Sequence, residues 1–278
     1  MKLLRHGSSG AEKPGLLHSD GSVRDLTGLV PDIGGVVLSD AGLAMLRGVD
    51  ASALPSLPPG TRLGPCVAGT GKFICIGLNY SDHAAETGAT VPPEPIIFMK
   101  ATSAICGAND EVIIPRGSEK TDWEVELGIV IGRKAQYVER EQALEHVAGY
   151  CIVNDVTVPH ASLLRPPMKQ KCRDGFCPIG PLVPASEVPD PSALEIRSYV
   201  DGELRHRANT GTLRRGVAQL IADVSEFMSL APGDLLLVGV PHGVPRARVG
   251  QRMAIEIDGL GRLENPLVRE PVMQEVSA

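Results

Sequence analysis

The chain has no run of basic residues, and no place where basic and aromatic residues interleave; aromatics make up only 3% of its 278 positions. Its formal net charge is -6. A partner held through phosphates needs clustered Lys and Arg, so nucleic acid is excluded as the main partner. No apolar run approaches the roughly 20 residues of a membrane span, and a membrane partner is not expected. The opening "MKLLRHGSSG" carries a charge directly after its only apolar pair and lacks the apolar stretch of a signal peptide, which leads to the expectation of a cytoplasmic protein. The six cysteines lack zinc spacing: Cys172 and Cys177 in "CRDGFC" have no second pair and no histidine at the right distance. Free, mostly buried thiols are expected. Internal repeats and low-complexity segments are also missing.

What remains is an ordinary globular composition, with 43% apolar and 22% charged residues and enough length for a normal core. Residues 1–63 read as a small N-terminal annex and linker, and 64–278 as the main domain. In the annex, "KPGLLHSDGSVRDL" reads as two short strands around a Ser-Asp-Gly turn. "SDAGLAMLRG" reads as a helix capped by Ser39 or Asp40 and stopped at Gly48. "ALPSLPPGTRLGP" is a Pro/Gly linker. Beyond it, short apolar runs such as "KFICIGLNY", "WEVELGIVIG", "AGYCIVNDVTV" and "DLLLVGV" dominate, interrupted by the helical stretches "EREQALEHVAG" and "GVAQLIADVSEFM". Strands and helices do not alternate regularly, which disfavours a Rossmann or barrel layout. The fold class expected is α+β and rich in β.

"TDWEVELGIVIG" sets Asp122, Glu124 and Glu126 at every second position. In one continuous strand these three share a face, with Trp123, Val125, Leu127, Ile129 and Ile131 on the other. Two bare carboxylates about 4 Å apart repel by roughly 4 kcal/mol at an effective dielectric near 20, so a proton, a cation or a metal must offset them. An edge strand facing solvent also carries spaced acids. "YCIVNDVTV" is a second apolar run, broken by Asn154-Asp155, and an Asp deep in such a run needs a partner; Asn-Asp also favours a turn. Taken together, Glu124, Glu126 and Asp155 form an oxygen-only set suited to Mg²⁺, Mn²⁺ or Ca²⁺ rather than to zinc or copper.

In "GLNYSDHAAE", His83 and Glu86 are three apart and share a helix face, so the Glu can fix the tautomer of a basic His; a surface ion pair has the same spacing. Gly77 and Gly88 flank that segment, as they would a lid. Lys171 and Asp174 precede a turn in "KQKCRDGFCPIGP". Lys171 could face a substrate carboxylate or enolate, although lysine is mostly a solvated surface residue. Arg165 stands in "RPPMK", where two prolines hold an extended frame, and its fork fits a carboxylate. "GVPHGV" is a turn in which Gly239 could bring a backbone N–H to an anion.

The motifs "FICIGLNYSDHAAE", "PIIFMKATSAICG", "DWEVELGIVIG", "VAGYCIVNDVT", "KCRDGFCPIGP" and "SLAPGDLLLVGVPHGV" follow the order and spacing of the fumarylacetoacetate hydrolase family, which the chain resembles from about residue 64 to 268. The resemblance implies that family's β-rich fold, a homodimer, and Mg²⁺ or Mn²⁺ on Glu124, Glu126 and Asp155. It maps the family's lid dyad onto His83 and Glu86, its active-site lysine onto Lys171, and the aspartate of the same pattern onto Asp174. Asp122 lies beside the implied ligands. The usual Thr-Gly-Thr-Pro turn reads Val-Gly-Val-Pro from Val238 to Pro241, so Gly239 and Val240 are candidate substrate contacts without the customary hydroxyl. The family's Arg-x-x-Gln segment is replaced by "VPHASLLRPPMKQK", which resembles the isomerase/decarboxylase branch of 4-hydroxyphenylacetate degradation.

Two reactions are therefore expected of a small 2-oxo acid that chelates the metal through its carboxylate and keto oxygens. With water activated by His83, an acylpyruvate-like diketo acid undergoes C–C hydrolysis. Without water, the same enolate leads to decarboxylation or isomerisation of an unsaturated 2-oxo dioate of aromatic catabolism. A non-catalytic metal- or metabolite-binding relative is the third alternative, against which the retention of both His83 and Glu86 weighs.

Overall fold

The computed structural model of the chain describes residues 1–82, 92–159 and 167–271. The strands of the described residues form five sheets, one of which holds a pairing between two apolar runs. β10 (Val125–Ile131) is buried at every position, and so is its antiparallel neighbour β11 (Val147–Asn154). Strands covered on both faces read as continuous apolar runs rather than as alternation. Gly128 permits their close approach: a Cβ there would lie 2.5 Å from Val153 Cγ2 and 2.8 Å from Cys151 Sγ.

These two strands lie inside a six-stranded sheet of order β13-β11-β10-β16-β5-β6, built with β5 (Phe73–Gly77), β6 (Ile96–Met99), β13 (Val183–Pro184) and β16 (Leu235–Leu237). A five-stranded sheet, β15-β14-β18-β19-β8, uses β8 (Val112–Ile114), β14 (Glu195–Val200), β15 (Glu203–Asn209), β18 (Arg252–Ile257) and β19 (Gly261–Arg269). Val125, Leu127, Ile129 and Ile131 of β10 point into a core shared with Ile196, Ile255 and Leu263 of that second sheet. Two small ladders pair β7 (Ile105–Cys106) with β12 (Cys177–Pro178), and β9 (Lys120–Asp122) with β17 (Arg246–Arg248). The molecule is the β-rich α+β protein expected.

The N-terminal residues form a four-stranded sheet, β3-β2-β1-β4, from β1 (Lys2–His6), β2 (Lys13–Leu17), β3 (Val23–Asp25) and β4 (Leu63–Gly64). β2 and β3 are the two strands read around the Ser-Asp-Gly turn; β1 went unread. Leu3 and Leu182 exchange backbone hydrogen bonds of 2.8 and 2.7 Å. Leu3, Leu16 and Leu38 share one apolar core with Phe73, Cys75 and Val130, so this sheet is packed onto the six-stranded one rather than standing apart.

Helix α1 (Asp40–Arg47) begins where Ser39 Oγ accepts from Gly42 N and ends at Gly48. α2 (Met168–Lys171) is a single turn, and α3 (Val217–Ser225) buries Val217, Leu220, Ile221 and Val224, a helical stripe. Arg140–His146 is 3₁₀ rather than α-helical. Only Ala143 in that stretch is buried, so no apolar stripe holds a longer helix against the core. All six cysteines are free.

Candidate metal centre and active site

β10 begins one residue after Glu124, and β11 ends one residue before Asp155. Their ladder continues past both ends, because Asp155 N donates to Glu124 O at 2.9 Å. That bond sets Asp155 beside Glu124, while Glu126 opposite Val153 turns to the same side. Carboxylate oxygens of Glu124, Glu126 and Asp155 all lie within 4.8 Å of one another.

"TDWEVELGIVIG" is not one continuous strand. The chain breaks at Trp123 and Glu124, between β9 and β10. Trp123 N donates to Pro245 O at 3.1 Å, and Asp122 receives Arg246 Nε at 2.7 Å in the small β9–β17 ladder. Asp122 therefore belongs to a surface ion pair and not to the group of three acids. Strand alternation alone placed it with them; the break, invisible in the periodicity, takes it away.

Two ammonium groups stand against the three acids. Lys171, the last residue of α2, reaches Glu124 Oε2, Asp155 Oδ2 and Thr157 Oγ1, each at 2.7 Å. Lys100, one residue past β6, donates to Asp155 Oδ1, and at 2.7 Å to Phe176 O. Thr157 Oγ1 donates in turn to Glu124 Oε1 at 2.9 Å. Glu126 Oε2 accepts from Gly239 N at 2.7 Å. Gly239 has φ +99°, and a Cβ there would meet Ile76 O at 2.9 Å, so the turn that delivers this N–H depends on glycine. Lys100 and Thr157 were not read as site residues. The signal for Lys100 was the same as for Asp155: a charge closing an otherwise apolar strand, "PIIFMK".

These contacts divide the acids electrostatically. For Asp155, burial acts to raise the pKa, but Lys100 and Lys171 outweigh it and hold the carboxyl below its ordinary range. Glu126 is pushed well above it, by burial first and then by the negative charges of Asp155 and Glu124. Burial also raises Glu124, although Lys171 pulls the other way. Burial opposes the charge of both lysines, yet the carboxylates they face hold each pKa above the usual lysine value. A divalent cation held among these acids would favour the ionised form of all three.

Access is one-sided. The side chains of Lys100 and Asp155 are 0% and 1% exposed, whereas Lys171 and Glu124 are 11% and 14% exposed. The site opens where Lys171 meets Glu124. Across it, the turn carrying Gly239 is tied to the chain leaving β5, since Asn79 Nδ2 donates to Val238 O at 2.9 Å. His242 Nε2 of the same turn lies 3.8 Å from Asp82 Oδ2. Asp82 is the residue before His83. Val240 is half-buried in the turn, and Asp174 is exposed in the turn after α2. His83, Glu86 and Arg165 lie outside the described residues.

The donor set fits a hard divalent cation. It offers only carboxylate oxygens, and Glu124, Glu126 and Asp155 could hold the ion while water or a chelating ligand fills the remaining positions. This centre, in this β-rich scaffold, defines a class of enzyme fold. The Fumarylacetoacetate (FAA) hydrolase C-terminal family matches residues 72–268, and the chain belongs to that family. A protein of Burkholderia orbicola (strain MC0-3), provisionally named as a hydrolase, is 51% identical over 272 residues, covering 94% of this chain and 96% of its own. The maleylpyruvate hydrolase of Sphingobium sp. SYK-6, solved in complex with manganese(II) and pyruvate, is 30% identical with a TM-score of 0.82, covering 98% of this chain and 100% of its own. A 5-carboxymethyl-2-hydroxymuconate delta-isomerase of Mycobacterium smegmatis is 32% identical with a TM-score of 0.77, covering 98% and 100%.

Proposed function

We propose that this protein is a divalent-cation-dependent hydrolase of C–C bonds in small acylpyruvate-like 2-oxo acids. The observation that carries this reading is the charge of the centre and the side on which it opens. With all three carboxylates ionised against two ammonium groups the centre carries one negative charge; a bound divalent cation would turn it into one positive charge, facing solvent beside Lys171. An anionic 2-oxo acid is the complementary ligand. The cation, Mg²⁺ or Mn²⁺, would supply Lewis-acid polarisation of the substrate's keto and carboxylate oxygens.

The chain's own groups do the rest. Lys171, at the open side, adds a fixed positive charge for the negative charge that develops on the substrate. Lys100 holds Asp155 from the sealed side and keeps it ionised. Gly239 N orients Glu126. His83, oriented by Glu86, is the proposed group that takes a proton from the attacking water. Arg165 is the proposed contact for a second carboxylate.

A second reading, decarboxylation or isomerisation of an unsaturated 2-oxo dioate, is favoured by the likeness to the M. smegmatis isomerase over nearly the whole chain. The two separate in a paired assay of acylpyruvate and an unsaturated 2-oxo dioate with Mn²⁺. Cleavage of acylpyruvate that stops in His83→Ala is expected. Turnover of the dioate alone, with Arg165→Ala chiefly raising its KM, establishes the second reading instead. No turnover of either with metal demonstrably bound would leave a binding protein.

A further inference from the structure

Asp122 is paired on both sides. Its backbone N donates to Thr157 O at 2.8 Å and its O accepts from Thr157 N at 3.1 Å, while across its other edge it faces Arg246 in the β9–β17 ladder. Directly opposed residues of an antiparallel ladder point their side chains to the same face. Thr157, Asp122 and Arg246 therefore form one row on one face, as the 2.7 Å bond from Arg246 Nε to Asp122 Oδ1 bears out. The other face is anchored: Thr121 and Ala247 are both 0% exposed, and Thr121 Oγ1 accepts from Trp123 Nε1 at 2.9 Å.

The row starts at the candidate metal centre and ends in solvent. Thr157 Oγ1 touches Lys171 Nζ at 2.7 Å and Glu124 Oε1 at 2.9 Å, the two groups between which the centre opens. Exposure then rises from 7% at Thr157 to 17% for the Asp122 side chain and 52% for that of Arg246. Ladder spacings of about 5.5 and 4.5 Å put the Arg246 Cα roughly 10 Å from that of Thr157. Asp122 engages the guanidinium through Nε, which leaves the two Nη groups as a fork that fits a carboxylate. The next pair on this face is Lys120 and Arg248, both exposed, so three cations stand with one acid in a chain whose net charge is -6.

We infer that Arg246 determines specificity: its guanidinium binds the distal carboxylate of a substrate whose 2-oxo acid end sits at Glu124, Glu126 and Asp155, and Asp122 is the positioning residue that holds the fork. The inference rests on the reading of the centre as a 2-oxo acid site and narrows that class to diacids. Three or four carbon–carbon bonds between the keto group and the far carboxylate, at about 1.5 Å each, cover roughly 5 Å. The Arg246 side chain, turned inward to Asp122, closes the remaining distance. For the C–C hydrolase, the substrate is then an acylpyruvate whose acyl end carries a carboxylate; the dioate of the second reading is already of this kind. The role is assigned independently of Arg165.

The test is titration calorimetry of the Mn²⁺-loaded protein with 2-oxoadipate and 2-oxohexanoate, at an ionic strength that screens exposed charges. The two acids match in length and differ in a terminal carboxylate against a methyl group, and neither holds the diketo unit needed for cleavage. Wild type should bind 2-oxoadipate at least about tenfold more tightly, and Arg246→Gln should remove that preference while leaving 2-oxohexanoate within about twofold. Arg246→Lys, which keeps the charge without the fork, should retain only part of the preference, and Asp122→Asn should lose part of it. Lys120→Gln should keep most of it; a loss equal to that of Arg246→Gln would assign the effect to the charge of the whole face and overturn the inference. A preference that survives Arg246→Gln, or a wild type with none, overturns it as well and leaves the 2-oxo acid reading standing. If neither acid binds with Mn²⁺ demonstrably held, that reading itself fails, and the inference with it.

Discussion

Lys171 Nζ lies 2.7 Å from Asp155 Oδ2, on the open side of a carboxylate whose other oxygen is held by Lys100. One acid thus has a lysine facing substrate space and a lysine facing the interior. The two should fail differently when replaced. Lys171→Met removes a charge aimed at the reaction and leaves Glu124 and Asp155 short of a partner, so kcat/KM should fall by about 10²-fold or more, with a fall in melting temperature smaller than that of Lys100→Met because Lys171 and Glu124 keep some exposure. Lys100→Met strands a buried carboxylate, and breaking such a pair costs about 3–5 kcal/mol. Its signature is a large drop in unfolding midpoint. Equal midpoints for the two variants would show that the inner and outer lysines are not distinct.

Cation binding rests on three acids that repel one another. Glu126→Gln keeps the shape and the Gly239 contact but removes a charge. Titration calorimetry with Mn²⁺ should show affinity reduced by at least about tenfold, equivalent to about 1.4 kcal/mol. Chelation with EDTA should abolish turnover, and added Mg²⁺ or Mn²⁺ should restore it. Full activity in a preparation verified to be metal-free removes the metal-dependent reading.

The pH dependence follows from opposite shifts. The Glu126 pKa is raised, so its ionised form is disfavoured in the folded chain; without metal, the stability linked to its protonated form is lost as pH rises through that raised value. A cation requires the ionised form. The rise in melting temperature on adding Mn²⁺ should therefore grow with pH, starting above the ordinary Glu range. Asp155 has the reverse sign: its pKa is lowered, so its contribution is present above the unfolded Asp value and is lost as pH falls through the folded one. Thermal unfolding across pH, with and without Mn²⁺, reads both. A metal-induced shift that does not change with pH contradicts the assignment of Glu126.

Gly239 combines a left-handed backbone with a close approach to Ile76 O. Gly239→Ala should displace the N–H that holds Glu126 and weaken Mn²⁺ binding, while Gly243→Ala in the same turn should leave it nearly unchanged. Both carry positive φ, so the comparison separates backbone strain from the Glu126 contact. Equal losses in the two variants would assign the effect to the turn as a whole.

Much of the centre was legible along the chain. Acids at alternate positions of an apolar run are costly unless something meets them, and this pointed to Glu124, Glu126 and Asp155 before any coordinates. The capped helix at Asp40–Arg47 and the apolar stripe of Val217–Ser225 were equally local, since caps and periodicity act within a turn or two. The family motifs located Lys171 in the same way.

Partners that are remote in sequence were not legible. Asp122 has the spacing of a ligand, yet Arg246, 124 residues away, captures it because the strand breaks at Trp123. Lys100 became a site residue through a fold that brings it to Asp155 across 55 positions. Local sequence determined which residues carry charge and which segments are strands or helices, because those preferences are set by neighbours a few residues away. Only the tertiary structure decided which charges meet, which oxygen each lysine takes, and which side stays open, because these depend on how β10, β11, α2 and the turn at Gly239 pack.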